Sequence, residues 1–358
     1  MVAALSSDAD ARNQFTSRAT LFAGVGGTLA SMLIPMFTTG EMAIGGSAAV
    51  AYGRIALVIC ILAPLFLCFT IFGAKENRSD ANEKAPPISF RKIISTITGN
   101  DQLRWIAVIF LIQQVGNGLT IAGIGSTYIY LDFGYSGGLY SLFSTVGVLA
   151  TAFLMMFYPA ISRRVPRKKL MRIMMGISLA GYAVMLLAGL LPATMVKFWL
   201  VTFGYMTSNF GQYSFYLIMM ISIINTVEYN EYQHGVRDEA IIASLRPFLT
   251  KLASALIVAL TSLSYIVFGV TSYTNQISAL ESAASAGAIT EAEKLASIGE
   301  VLSTVQSGQT LGLYLCMTII PCVLMLISHI LYQKHYRLDE PEYDRICAEL
   351  AKRKEAKA

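Results

Sequence analysis

At 358 residues, 55% hydrophobic and only 14% charged, this chain is too apolar for an ordinary soluble domain, in which about a quarter of residues carry charge. A net charge of +5 would suit a nucleic-acid partner if the basic residues formed one patch, but they are scattered between apolar runs and report membrane topology, so no nucleic acid is expected. Five cysteines include no CxxC pair, and Cys60, Cys68, Cys316 and Cys322 lie inside apolar runs as small hydrophobes, which leaves neither a disulfide framework nor a metal site.

The first fifteen residues, MVAALSSDADARNQF, are polar, and no cleavable signal peptide is expected. Eight apolar segments then follow, at about 19–39, 48–73, 104–131, 137–160, 171–191, 196–224, 243–271 and 309–332. Each meets the roughly 20 residues that a bilayer-crossing helix needs. The runs are continuous rather than alternating, which predicts helices and not barrel strands. Between the second and third runs, residues 74–103 form a long polar connection with Pro86-Pro87 and a possible short surface helix at 88–98. Residues 273–308, rich in Ala, Ser and Glu, predict helix outside the membrane, and 339–357 predict an amphipathic, solvated helix with Ile346 and Leu350 on one face.

The connections alternate in charge. One set holds Lys75, Arg78, Lys84, Arg91 and Lys92, then Arg163, Arg164, Arg167, Lys168, Lys169 and Arg172, joined by Arg12, Arg237 and the basic tail. The opposite set offers only Lys197 and Lys294. By the positive-inside rule both termini are cytoplasmic, as an even number of spans requires, and the chain is a multi-pass protein of the cell inner (plasma) membrane, with the lipid bilayer as its first partner.

Enzyme signatures are missing: there is no HExxH, GxSxG or Walker sequence, and GVGG at 24–27 follows no strand, so it reads as helix packing. The chain is not expected to be an enzyme. Polar residues inside the spans say more. FLIQQVGNGLTIAGIGSTYIY places Gln113, Gln114 and Asn117 in the third run, and FGYMTSNFGQYSFYLIMM places Asn209, Gln212, Tyr213 and Tyr216 in the sixth. Spacings of three and four put the last four on one helical face. Amides in hydrocarbon must meet another helix or a wet cavity. Amides beside aromatic faces can hold a polyhydroxylated solute such as a sugar, the amides bonding hydroxyls and the rings covering C–H faces; interhelical hydrogen bonding is the alternative. Arg54 and Lys251 are the cations nearest the membrane interior, and either could snorkel to its edge or face a cavity.

A dense charge cluster, NTVEYNEYQHGVRDEAIIASLRPFLTKL, separates the sixth and seventh runs at 225–252. It resembles the segment between helices ten and eleven of the glycoside–pentoside–hexuronide:cation symporters, the melibiose-carrier-like branch of the major facilitator superfamily. Thr226, Val227, Glu228, Tyr229, Glu231, Tyr232, Arg237, Glu239, Ser244, Phe248 and Lys251 fall into that pattern, and NDQLRW at 100–105 and SRRVPRKK at 162–169 also look like the family. Asn225, Asn230 and Gln233 depart from it, standing where the family has Asp, Gly and Lys.

The resemblance implies an all-α polytopic membrane fold in which these eight helices match helices 5–12 of twelve, so that the chain looks N-terminally truncated. On that reading 1–73 is a two-span remnant of the first half, 74–103 the cytoplasmic central loop, 104–332 the six-helix second half and 333–358 the cytoplasmic tail. It also implies secondary transport of a sugar or glycoside by alternating access, with Na⁺, H⁺ or Li⁺ as coupling cation. The family's carboxylate site for that cation falls on helices outside this chain, and no other cofactor is implied. By the same analogy the substrate site would take Lys251 and Tyr216, with Thr20 in register for a sugar-contacting arginine and Arg18 two residues away; Asn117, Asn209, Gln212 and Tyr213 complete the candidate set. A cytoplasmic gate would pair Arg12 with Glu239 and Glu228 with Arg163 or Arg164, beside Arg237. Two other readings remain open, a carrier for a different solute and a membrane fragment that does not transport. Oligomeric state is not legible.

Overall fold

The computed structural model describes residues 9–39, 42–73, 90–121, 123–162 and 164–355, apart from the side chains of 9–21, 23, 24, 70, 90, 150, 152–160, 162, 354 and 355. Among them the regular elements are all helices: α1 (Ala9–Thr38), α2 (Ala48–Gly73), α3 (Phe90–Gly99), α4 (Asp101–Ile121), α5 (Gly123–Phe133), α6 (Gly137–Ser162), α7 (Arg167–Ala188), α8 (Met195–His234), α9 (Glu239–Val267), α10 (Thr271–Ser285), α11 (Glu291–Ser303), α12 (Ser307–His335) and α13 (Glu340–Glu355). Backbone groups in hydrocarbon must be satisfied within their own segment, which is why apolar runs of this length become helices.

Six stretches are long and apolar enough to cross a bilayer: α2, Asp101–Phe133 holding α4 and α5, α7, α8, α9 and α12. Shorter apolar stretches, Val25–Thr38 and Gly137–Leu149, lie in α1 and α6. Together they occupy the eight expected positions, and the protein is an all-α polytopic membrane protein. Its exposed surface agrees with that medium. Leu57, Ile61, Phe66 and Phe69 of α2 all point outward, as do Leu187, Val196, Phe203, Val258 and Ile330 elsewhere. Lipid accepts such a face, whereas water penalises contiguous apolar surface.

The ends of the helices follow local chemistry. Thr194 caps α8 by accepting from the Lys197 amide at 3.4 Å. Gly235 ends α8 with φ +70°, a left-handed conformation that a side chain would strain. Between these caps α8 runs for 40 residues, well past the expected end at 224. Thr290 and Glu293 close a reciprocal capping box on α11. In α9, Pro247 has no N–H for the carbonyl one turn back, yet the helix continues through it.

The chain clusters into two compact units. The first draws on Met1–Pro87, Gly134–Thr145 and Tyr273–Thr304, and so includes α1, α2, the start of α6 and the α10–α11 hairpin. The second draws on Ile88–Phe133, Val146–Ser272 and Val305–Ala358. Its core is apolar and continuous: Leu103, Ile106 and Phe110 of α4 meet Met171, Met174 and Met175 of α7, Phe215, Ile218 and Met219 of α8, and Met325 and Tyr332 of α12. Helices α7 and α8 approach closely through Gly181, Gly204 and Gly211, where an added methyl would collide with the facing backbone or with Met185.

Polar groups in this core bond backbone carbonyls across helices. Asn100 donates to Thr226 O at 3.1 Å, Thr120 to Met317 O at 3.1 Å, and Tyr336 to Ser222 O at 3.0 Å. The tail corrects one expectation. Helix α13 is amphipathic, but its apolar face is not solvated: Ile346 and Leu350 are buried in the same core, because the last turns of α8 extend far enough to receive them.

Candidate functional site

On α8, four polar residues that share a helical face divide into two pairs. Asn209 is buried and donates to Gly147 O at 3.1 Å, while Gln212 is buried and donates to the Tyr182 hydroxyl. Gln113 of α4 packs beside them, donating to Gln212 O at 3.1 Å and accepting from Gln114 at 2.8 Å. The amide nitrogens are committed within the second unit, while Gln212 Oε1 is buried with no hydrogen-bond partner among the described residues.

Tyr213 and Tyr216 are only half-buried. Their ring centroids are 5.4 Å apart and tilted by 39°, and Phe110 of α4 lies 5.9 Å from Tyr216. Arg246 of α9, exposed, donates to the Tyr216 hydroxyl at 2.9 Å. Lys251 lies farther along α9, exposed, with no hydrogen-bond or ion-pair partner among the described residues. Asn117 of α4 is half-buried and likewise unpartnered among them. Two aromatic faces and a guanidinium with donors to spare together can stack on a sugar ring and bond its hydroxyls. The side chains of Arg18 and Thr20 fall outside the described set.

Arg246 is not among the residues that the sequence singles out. A guanidinium a few residues inside an apolar helix, on an element following an aromatic-rich one, was the available signal.

The charge cluster at the α8–α9 turn has one hub. Arg237 reaches Glu228 at 2.9 Å, Glu231 at 3.1 Å and Glu239 at 3.2 Å. Partial burial disfavours its charge, but the three carboxylates outweigh that and raise its pKa. The left-handed Gly235 makes this possible by folding Arg237 back onto the helix it has just left. Thus Glu228 and Glu239 both meet Arg237. Arg164 is exposed with no ion pair among the described residues, Arg163 lies outside them, and so does the Arg12 side chain.

Neighbouring charges extend the cluster. Asp238 is held by Lys92 of α3 at 2.9 Å and by the Thr96 hydroxyl at 2.8 Å. Burial pushes its carboxyl up, and these partners more than reverse that, so its pKa lies below the usual value. Arg167 and Lys168, at the start of α7, meet Glu340 at 3.1 Å and Asp339 at 3.2 Å, fixing the entry to α13. The Tyr232 ring sits 4.7 Å from the Arg353 guanidinium and 5.6 Å from that of Arg345.

Lys197 and Lys294, the two cations of the cation-poor connections, are each paired. Lys197 meets Asp132 at 2.8 Å within the second unit, and Lys294 meets Glu281 at 3.1 Å and also Glu291 within the first.

A family model described as MFS/sugar transport protein matches residues 1–340. A raffinose carrier protein of Pediococcus pentosaceus is 26% identical over 355 residues, covering 98% of this chain and 50% of the carrier. A lactose permease of Lactobacillus delbrueckii subsp. bulgaricus is 23% identical over 354 residues, again 98% of this chain and 51% of the permease. A lactose permease of Leuconostoc lactis is 26% identical over 269 residues, 71% of this chain and 39% of the permease. The chain therefore spans about half the length of these relatives, or less.

Proposed function

Because this chain belongs to the MFS/sugar transport protein family, we propose that it binds a sugar at midmembrane depth and serves sugar uptake by alternating access, coupled to a cation. The observation that carries the reading is the shelf formed by Tyr213, Tyr216 and Arg246 in the second unit. The tyrosine faces suit the C–H surface of a pyranose, and Arg246, Lys251 and Asn117 supply donors and an acceptor for its hydroxyls. Relatives named for raffinose and lactose make a galactoside-containing oligosaccharide the first substrate class to try.

The cytoplasmic ends of α8 and α9 act as the inner gate on this proposal. Arg237 holds Glu228, Glu231 and Glu239 in partly solvated pairs, which can exchange partners at little cost during a conformational cycle. Arg12, Arg163 and Arg164 are the proposed exchange partners. For the coupling ion, Na⁺, H⁺ or Li⁺ is proposed from the family resemblance.

Uptake of labelled lactose and raffinose by cells expressing the chain, with and without an imposed Na⁺ or H⁺ gradient, tests the proposal. Sugar accumulation that collapses with the gradient is the expected outcome. Purified protein that binds neither sugar, with no uptake above vector-only cells, would overturn it.

A further inference from the structure

The α10–α11 hairpin belongs to the first unit, the sugar shelf and the charged turn to the second. None of the described side chains of α10 is buried, and α11 buries only Lys294 and Ile298. Lys294 is 0% exposed, an unusual anchor for a hairpin otherwise open to its surroundings. Burying an ammonium is costly unless carboxylates accompany it, and here Glu281 and Glu291 do so. The same Glu281 accepts a hydrogen bond from the Tyr135 hydroxyl at 2.8 Å, which ties the hairpin to the turn before α6.

That turn is fastened in its own right. The Gly137 amide donates to Thr39 O at 3.4 Å, and the Ser141 hydroxyl to Met32 O at 2.7 Å, so the first turns of α6 lie on the end of α1. A side chain at Gly137 would collide with the Pro35 carbonyl, so the contact depends on glycine. A continuous path therefore runs from Lys294 through Glu281 and Tyr135 to the joint between α6 and α1, all within the first unit.

We propose that the α10–α11 hairpin is a latch, which through Lys294, Glu281 and Tyr135 holds the start of α6 against the end of α1 and keeps that end of the transporter shut. By the charge asymmetry of the connections this end is external. The latch releases as a unit, since Lys294 and its carboxylates return to water together and no charge is stranded in a dry site. The inference rests on the transport reading for its purpose, but its test reads accessibility and not uptake.

Thr38, 1% exposed, its hydroxyl bonded among the described residues to Ile34 O of its own helix, provides the reporter. The chain with its five cysteines replaced by serine and Thr38→Cys added would be treated with a membrane-impermeant maleimide in right-side-out vesicles. Slow labelling is expected in that background, rising roughly fivefold with Lys294→Met or Tyr135→Phe. Tyr135→Phe removes one hydroxyl and keeps the ring, which guards against loss of fold in the lysine variant. Glu293→Gln, which touches only the exposed capping box of α11, should leave the rate unchanged. Unchanged labelling in both latch variants, an equal rise with Glu293→Gln, or a rise seen only in inverted vesicles would overturn the proposal.

Discussion

Asn209 and Gln212 commit their amide nitrogens to Gly147 and Tyr182, whereas Tyr213 and Tyr216, on the next stretch of the same helix, keep ring surface open, and Tyr216 meets an exposed arginine. Both pairs are polar groups in a membrane-crossing helix; the first has its amide nitrogens committed and keeps the buried Gln212 Oε1 open, whereas the second keeps accessible ring surface beside a guanidinium. Polarity within a span therefore marks two different things. A polar group whose partners are complete holds helices together. One that remains partly open, beside aromatic surface, is where a solute can be held.

Breaking the closed side should cost stability and spare the chemistry of the shelf. The largest effect is expected from Gly211→Leu, whose side chain would be driven into the Met174 carbonyl and Ser178 of α7. Overpacking of this kind costs about 3 kcal/mol, seen as a marked fall in melting temperature in detergent. Gln113→Leu is next, removing a buried hydrogen bond between helices to Gln212 O, a carbonyl that also lies within the α8 hydrogen-bond ladder, at about 1–1.5 kcal/mol. Thermal melting should detect that loss while sugar affinity stays within about twofold of the parent. A matching loss of affinity would erase the distinction between the two faces.

The charged turn should respond less. Arg237→Gln would leave Glu228, Glu231 and Glu239 facing one another, and a cost of about 1 kcal/mol is expected, shrinking as salt is added. The smallest effect concerns Asp238, whose carboxyl lies below its ordinary value of 3.8 in the folded chain. A depressed acid stabilises the fold above its unfolded value, and that contribution is lost as pH falls through the folded one. The melting-temperature difference between the parent and Asp238→Asn should thus be constant above about pH 5 and vanish in stronger acid. A difference that grew on acidification would contradict the assigned partners, Lys92 and Thr96.

Much of the fold was legible in the residues, since uninterrupted apolar runs admit few structures other than membrane helices. The length of α8 was not. NTVEYNEYQH reads as a polar connection, yet it stays helical because Asn225, Thr226, Val227 and Asn230 pack inward against the second unit. The same extension explains why α13 is docked: Ile346 and Leu350 find a surface that composition gave no reason to place there. At the candidate site, three- and four-residue spacing puts Asn209, Gln212, Tyr213 and Tyr216 on one face, yet they meet different helices. Periodicity cannot say which neighbour each side chain meets. Arg237 illustrates the same limit: its cluster stood out in the sequence, but its local partners depend on the backbone reversal at Gly235.

The central claim is that the open side of α8 holds the sugar, and equilibrium binding of raffinose and lactose to purified Tyr216→Ala and Arg246→Ala measures it most directly. Each variant should bind about tenfold more weakly than the parent, the equivalent of about 1.4 kcal/mol, with melting temperature unchanged. Parental affinity in both variants, at equal stability, would place the sugar elsewhere.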